Sequence, residues 1–153
     1  MPDIQPGVPA PDIELQDDSG KTFRLSEQRG RKVVLYFYPR ASTPGCTVEA
    51  CEFRDANQDI LARGAVVAGV SPDREPALVK FRNAQRLTFP LLSDPDHKAA
   101  EAYGVWKEKN MYGKKVMGIE RSTFIVDEDG RIAKVFRKVK PEGHAAEVLA
   151  ELG

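Results

Sequence analysis

Two cysteines, Cys46 and Cys51, share a six-residue window in a 153-residue chain that has no others. The first follows Pro39-Arg-Ala-Ser-Thr43-Pro44-Gly45, and the apolar spacing after it predicts that Cys46 opens a helix. At a helix start, backbone N–H groups lack intrahelical partners and the positive end of the dipole favours thiolate over thiol. Thr43 places a hydroxyl on the same turn, and Pro44-Gly45 keeps the helix mouth free of bulky side chains. These residues describe a nucleophilic sulfur. The competing reading is a small buried hydrophobe, which free cysteine often is.

The spacing narrows the chemistry. A Cys-x-x-Cys pair would suggest a dithiol oxidoreductase, but here four residues separate the sulfurs. In an ideal helix, residues five apart have Cα atoms roughly 8.7 Å from each other, beyond the ~7 Å limit for a disulfide. An intact helix therefore keeps the two apart. Each sulfur needs its own task, one attacking and the other waiting to release it. That division suits a cysteine oxidised to sulfenic acid and then resolved by a second thiol.

The elements that must position this segment follow from the pattern of apolar residues and turn formers. Ile13–Leu15 and Thr22–Leu25, joined across Asp17–Gly20, predict an N-terminal β-hairpin, and Ser26–Gly30 a short helical turn. Val33–Tyr38 and Ala65–Ser71 are apolar without alternation, as strands buried on both faces are, and Pro39 ends the first. Between them a helix runs from about Cys46 to Arg63, with Val48, Cys51, Ala56, Ile60 and Leu61 on its apolar side and Gly64 beyond its end. A second helix is expected over Glu75–Arg86, a short strand over Phe89–Leu92, and a short helix over His97–Tyr103 opened by a solvated His97. Ser122–Val126 and Ile132–Val139, joined by Asp127-Glu-Asp-Gly130, form a second hairpin, and Glu142–Leu152 closes the chain as a helix. Arg131–Lys140 carries five cations and reads as an outward-facing edge. Trp106 and Tyr112, in the insertion before it, either border the pocket or cover the sheet. This order implies an α/β fold with a mixed central sheet and flanking helices, similar to a thioredoxin-like fold with an N-terminal β-hairpin. Sites in such sheets form outside the carboxyl ends of the parallel strands, and Pro39–Cys46 occupies that place.

Composition removes other functions. The chain is 41% hydrophobic, and 23 Lys+Arg balance 23 Asp+Glu, so no net charge draws it to nucleic acid or to an anionic membrane. No apolar run approaches the ~20 residues that cross a bilayer, and the first residues lack the cationic and apolar regions of a secretory signal. The expectation is one soluble cytoplasmic domain over residues 1–153. Neither cysteine nor histidine spacing fits a metal site, and no G-x-G-x-x-G appears, so no metal or cofactor is expected. Electrons must come from another protein or a small thiol.

Pro39-x-x-x-Thr43-x-x-Cys46 resembles the peroxiredoxin active-site pattern. Cys51 five residues later is similar to the two-cysteine subgroup called bacterioferritin comigratory protein or peroxiredoxin Q. The likeness extends through Thr-Pro-Gly-Cys-Thr-Val-Glu-Ala-Cys-Glu-Phe-Arg-Asp and Gly118-Ile-Glu-Arg121-Ser-Thr-Phe-Ile-Val-Asp127, and departs at Arg40-Ala41-Ser42. It implies Cys46 as the sulfur that attacks peroxide and Cys51 as the resolving cysteine. It also implies Thr43, the Cys46 N–H and Arg121 as donors to the reacting oxygens, Pro39 as a shield from water, and Glu49 as the residue that orients Arg121. A peroxide substrate, a Cys46–Cys51 disulfide, thioredoxin or glutaredoxin as reductant, and a monomer sufficient for turnover complete that expectation. Two other readings stand beside it: a disulfide reductase or redox sensor, and a domain whose cysteines are inert. Taken singly, Arg121, Glu49 and Pro39 also fit a surface cation, an ordinary helix acid and a strand terminator.

Overall fold

The computed structural model describes residues 4–152. Strands β1 (Glu14–Asp17) and β2 (Thr22–Arg24) form the first hairpin, and a single 3-10 turn over Leu25–Gln28 leads to β3 (Lys32–Phe37). Helix α1 (Pro44–Ala62), β4 (Ala65–Ser71), α2 (Glu75–Gln85), β5 (Leu91–Ser93) and α3 (Lys98–Ala102) follow. The chain then forms β6 (Trp106–Met111), β7 (Lys114–Ile119), β8 (Ser122–Val126), β9 (Ile132–Arg137) and α4 (His144–Glu151). Seven strands make one sheet in the order β2-β1-β5-β4-β3-β8-β9. At its centre β3, β4 and β5 run parallel, while β8 pairs antiparallel with both β3 and β9. The first hairpin joins the sheet through an antiparallel β1–β5 pair. The cation-rich β9 lies at one edge, as its sequence predicts.

Continuous apolarity in β3 has a direct structural cause. Val34, Tyr36 and Tyr38 pack on one face with Ala50, Phe53 and Ile60 of α1 and Val148 of α4. Val33, Leu35 and Phe37 pack on the other with Tyr103, Val105 and Phe124. Both faces are dry, so both alternating sets must be apolar.

Four features differ from expectation. Helix α1 begins at Pro44 rather than Cys46, because proline at the first helical position sacrifices an N–H that would have no partner there. Its buried stripe is Cys46, Ala50, Phe53, Asn57 and Ile60, with Glu49 beside it, whereas Leu61 is 51% exposed. Two polar residues on the inner face hide that stripe from a reading of hydrophobicity. The insertion contains a separate β6–β7 hairpin turning at Tyr112-Gly113, both with positive φ (53° and 79°). Tyr112 at its tip is fully exposed, and Trp106 stacks on a half-buried His97 with ring centroids 3.7 Å apart, so His97 is not simply solvated.

Gly69 of β4 lies opposite Tyr36 of β3, and a Cβ there would come 2.9 Å from Tyr36 Cζ. Tyr36 is fully buried and stacks on Phe53 at 4.7 Å, so its ring has no room to retreat. Gly69→Ala should destabilise the fold by about 1–3 kcal/mol, read as a lower urea midpoint. An unchanged midpoint would mean that Tyr36 can shift at no cost.

Candidate active site

Cys46 is the third residue of α1, directly beyond the carboxyl end of β3, and is 2% exposed. The first backbone bond of the helix runs from the Thr47 N–H to the Thr43 carbonyl at 2.9 Å, and no side chain caps the terminus. The N–H groups of Gly45 and Cys46 precede that bond, so they are left for another acceptor. Both cysteines are free thiols, and the helix is continuous through them.

One cation organises the site. Arg121, just before β8, donates from Nη2 to Cys46 Sγ at 3.4 Å and from Nη1 to Glu49 Oε1 at 2.7 Å. Glu49 follows Cys46 by one turn and therefore shares its helix face. It is completely buried, and its second oxygen, Oε2, has no hydrogen-bond partner among the described residues. Burial pushes the Glu49 carboxyl up to about 7, against the opposing pull of Arg121. Burial also works against the Arg121 charge, but Glu49 and Cys46 outweigh it and hold the guanidinium above its ordinary value. Gly45 helps to seat it: a Cβ there would lie 3.3 Å from Arg121 Nη2 and 3.3 Å from Pro141 Cγ.

The remaining predicted residues surround this core unevenly. Half-buried Pro39 lies two residues beyond β3, at the start of the loop. Thr43 occupies the N-cap position but donates its hydroxyl proton to the Arg40 carbonyl at 2.7 Å, and no hydrogen bond joins it to Cys46. A hydroxyl has one proton, so in this arrangement Thr43 offers lone pairs to the site rather than the donor expected. Cys51 is half-buried, away from Arg121, with its Sγ 3.4 Å from Gln85 Oε1.

Several contributors escape a reading of sequence. Asp73 accepts from the Ala41 N–H at 2.7 Å and from Ser71 Oγ at 2.8 Å, tying the active-site loop to the end of β4. The loop needs that tie, because Ser42 is held at φ 65°. Ser71-Pro-Asp73, ending the strand beside β3, was the signal available. Lys109 lies over Gly118, whose missing Cβ would sit 3.3 Å from Lys109 Cδ. Burial pushes this lysine's pKa down, and the Arg121 charge adds to the effect. His144 is fully buried, with Nε2 2.7 Å from Thr123 Oγ1, and burial pushes its pKa down. Nothing local in the sequence marks it.

A buried thiol, a cation fixed by a buried acid and open helix N–H groups together form an environment that favours negative charge on sulfur. Residues 6–135 match the AhpC/TSA family. The chain belongs to this family of peroxiredoxins. It is 51% identical over 149 residues to peroxiredoxin Bcp of Bacillus subtilis strain 168, covering 97% of this chain and 95% of that one. It is 42% identical over 149 residues to peroxiredoxin Bcp of Escherichia coli strain K12, covering 97% and 96%. Among solved structures it resembles the Xanthomonas campestris bacterioferritin comigratory protein, with a TM-score of 0.91, 41% identity and 97% of each chain covered. That structure concerns the protein's alkyl peroxide reduction activity, seen in trapped intermediate and ligand complexes. The thioredoxin-like α/β fold expected from the order of elements therefore holds for this peroxiredoxin.

Burial of Glu49 makes the stability of this peroxiredoxin depend on pH. An acid held up to about 7 in the folded chain and titrating near 4.5 when unfolded keeps an extra proton in the folded state between those values. Its contribution is fully present below pH 4.5 and is lost as pH rises through about 7. Glu49→Gln has no such titration. The two proteins should match in stability near pH 4.5, and the variant should become the more stable by about 3 kcal/mol near pH 8. Denaturation curves that stay parallel across this range would show that Glu49 is ionised throughout.

Proposed function

We propose that the chain, acting as one domain over residues 1–153, is a thiol-dependent peroxidase working through Cys46 and Cys51. The observation that carries this reading is the Arg121 guanidinium held by buried Glu49 within 3.4 Å of Cys46 Sγ. A cation and open N–H groups there stabilise negative charge on sulfur before attack and on oxygen during it. The Cys46 thiolate attacks the terminal oxygen of hydrogen peroxide or an organic hydroperoxide. An S–O bond forms, the O–O bond breaks, and the departing oxygen takes from solvent the proton that Cys46 released on ionising, to leave as water or alcohol. Arg121 and the Gly45 and Cys46 N–H groups face the developing charge. The lone pairs of Thr43, whose own O–H points to the Arg40 carbonyl, accept a hydrogen bond from the hydroperoxide O–H and align the O–O bond. Pro39 screens the sulfur from water.

Cys51 then displaces hydroxide from the sulfenic acid. The S–S bond forms as the S–O bond breaks, and the thiol proton leaves with the hydroxide as water. A dithiol protein of the thioredoxin type, or glutaredoxin, restores both thiols by exchange. Both sulfurs belong to one chain, so a monomer is sufficient, and the chemistry suits a reducing cytoplasm.

Single turnovers should separate the two roles. Cys46→Ser should abolish peroxide consumption. Cys51→Ser should consume one equivalent, stall as sulfenic acid, and gain two oxygens in mass under excess peroxide. Residual turnover by Cys46→Ser would overturn the assignment, and a Cys51→Ser protein unable to react even once would reverse it.

Closure of the disulfide should also leave a mark on α1. The two Cα atoms, roughly 8.7 Å apart in a helix, must come within about 7 Å, so the first turns must open. Amides from about Thr47 to Glu52 should exchange faster in the disulfide form, and helical circular dichroism should fall. Equal protection in the two redox forms would rule out this opening.

A further inference from the structure

The contacts of α1 divide it at Glu52. Before that point only small side chains, Cys46 and Ala50, pack into the core, and the polar anchors are single links: Cys46 and Glu49 to Arg121, Cys51 Sγ to Gln85 Oε1, and Glu52 Oε1 to the Gly143 N–H at 2.9 Å. After it, Phe53 is fully buried against Tyr36, Arg54 Nη1 donates to the Gln85 carbonyl at 2.7 Å, and Asn57 Nδ2 donates to Thr88 Oγ1 at 3.1 Å. Gln85 belongs to both sets. Its side chain accepts from the Cys51 thiol while its main chain accepts from Arg54 one turn later. It is also presented from a fixed end. Arg82, one turn earlier in α2, binds the Asp18 carboxylate and the carbonyls of Leu87 and Phe89, and Asp18 is 8% exposed.

We infer that Gln85 is a positioning residue for the resolving half of the reaction: it holds the Cys51 thiol against α2 in the folded form and so sets how readily Cys51 leaves to meet Cys46. The inference rests on the peroxidase reading above. Resolution joins Cys46 and Cys51 sulfurs, expels the sulfenic oxygen and carries off the thiol proton in one water. For that to happen Cys51 must travel toward Cys46, and the S–H···Oε1 bond must break, while the Arg54 bond to the same residue stays and keeps the rest of α1 docked. Gln85 thus restrains one sulfur and anchors the pivot about which it moves. A neutral amide accepts a hydrogen bond without taking the proton, so Gln85 restrains the thiol without acting as a base.

Rapid mixing of reduced protein with peroxide separates two phases, one proportional to peroxide concentration (Cys46 oxidation) and one independent of it (resolution). Gln85→Ala removes the side-chain acceptor but keeps the carbonyl that holds Arg54. Loss of one weak hydrogen bond from the folded form should speed the second phase about three-fold. The first phase should be unchanged, and the fraction of sulfinic acid formed at high peroxide should fall in proportion. Gln85→Glu, which restores an oxygen acceptor, should return the second phase to near the original rate. A second phase that is unchanged or slower in Gln85→Ala, or equally fast in both variants, would overturn the proposal. Intact mass after one equivalent of peroxide separates this failure from the larger one. If wild type and Gln85→Ala each lose two hydrogens, the peroxidase reading stands whatever the rates, and if wild type does not, that reading falls first.

Discussion

A guanidinium lies between a carboxyl group and a sulfur that are both out of contact with water, and each neighbour makes the other tenable. Burying a lone carboxylate is expensive, and removing the cation that compensates one typically costs about 3–5 kcal/mol. Arg121 offsets that cost for Glu49, and Glu49 in turn holds Arg121 against Cys46 rather than letting it swing to solvent. The pair is softer than most, because Glu49 can take up a proton near neutrality. Its second oxygen has no partner among the described residues, so uptake of a proton there breaks no hydrogen bond.

The sheet exists, from the viewpoint of this triad, to bring together residues 72 and 75 positions apart. Helix α1 leaves the end of β3, and Arg121 stands where the chain enters β8, the antiparallel neighbour of β3. The Phe37–Ser122 pair is the last of that ladder, so the loop before α1 and the residue before β8 emerge side by side. Asp73, from the other neighbour of β3, secures the loop from the opposite side. The cysteine is thus framed by three adjacent strand ends, each fixed by ladder hydrogen bonds in a dry core.

What could be read in advance was what is local or repetitive. Strands β3 and β4 declare themselves by unbroken apolarity, the β8–β9 turn by its Asp-Gly, and the thiol pair by a spacing that no intact helix can bridge. What escaped depends on distant partners. Glu49 and Asn57 sit on the inner face of α1 only because Arg121 and Thr88 meet them there, so the true stripe looked broken and a false one ran through Leu61. The β6 strand is mostly polar and β7 is exposed along most of its length, leaving only Tyr112-Gly113 as a clue. Gln85, Asp73 and His144 make contacts that no spacing rule encodes.

The uncapped start of α1 has a consequence for anyone wishing to make this protein hardier. A good N-cap adds about 1 kcal/mol by occupying the N–H groups of the first turn, and such caps are among the commonest stabilising changes. Here Thr43 holds the capping position and turns its hydroxyl away. A side chain that capped this turn would fill the space before the free N–H groups with its own oxygen and would tighten a segment that, in the proposed mechanism, comes apart. Heat tolerance gained at this helix end should therefore be taken directly from turnover, whereas equal stabilisation at α4 or the β1–β2 hairpin carries no such exchange.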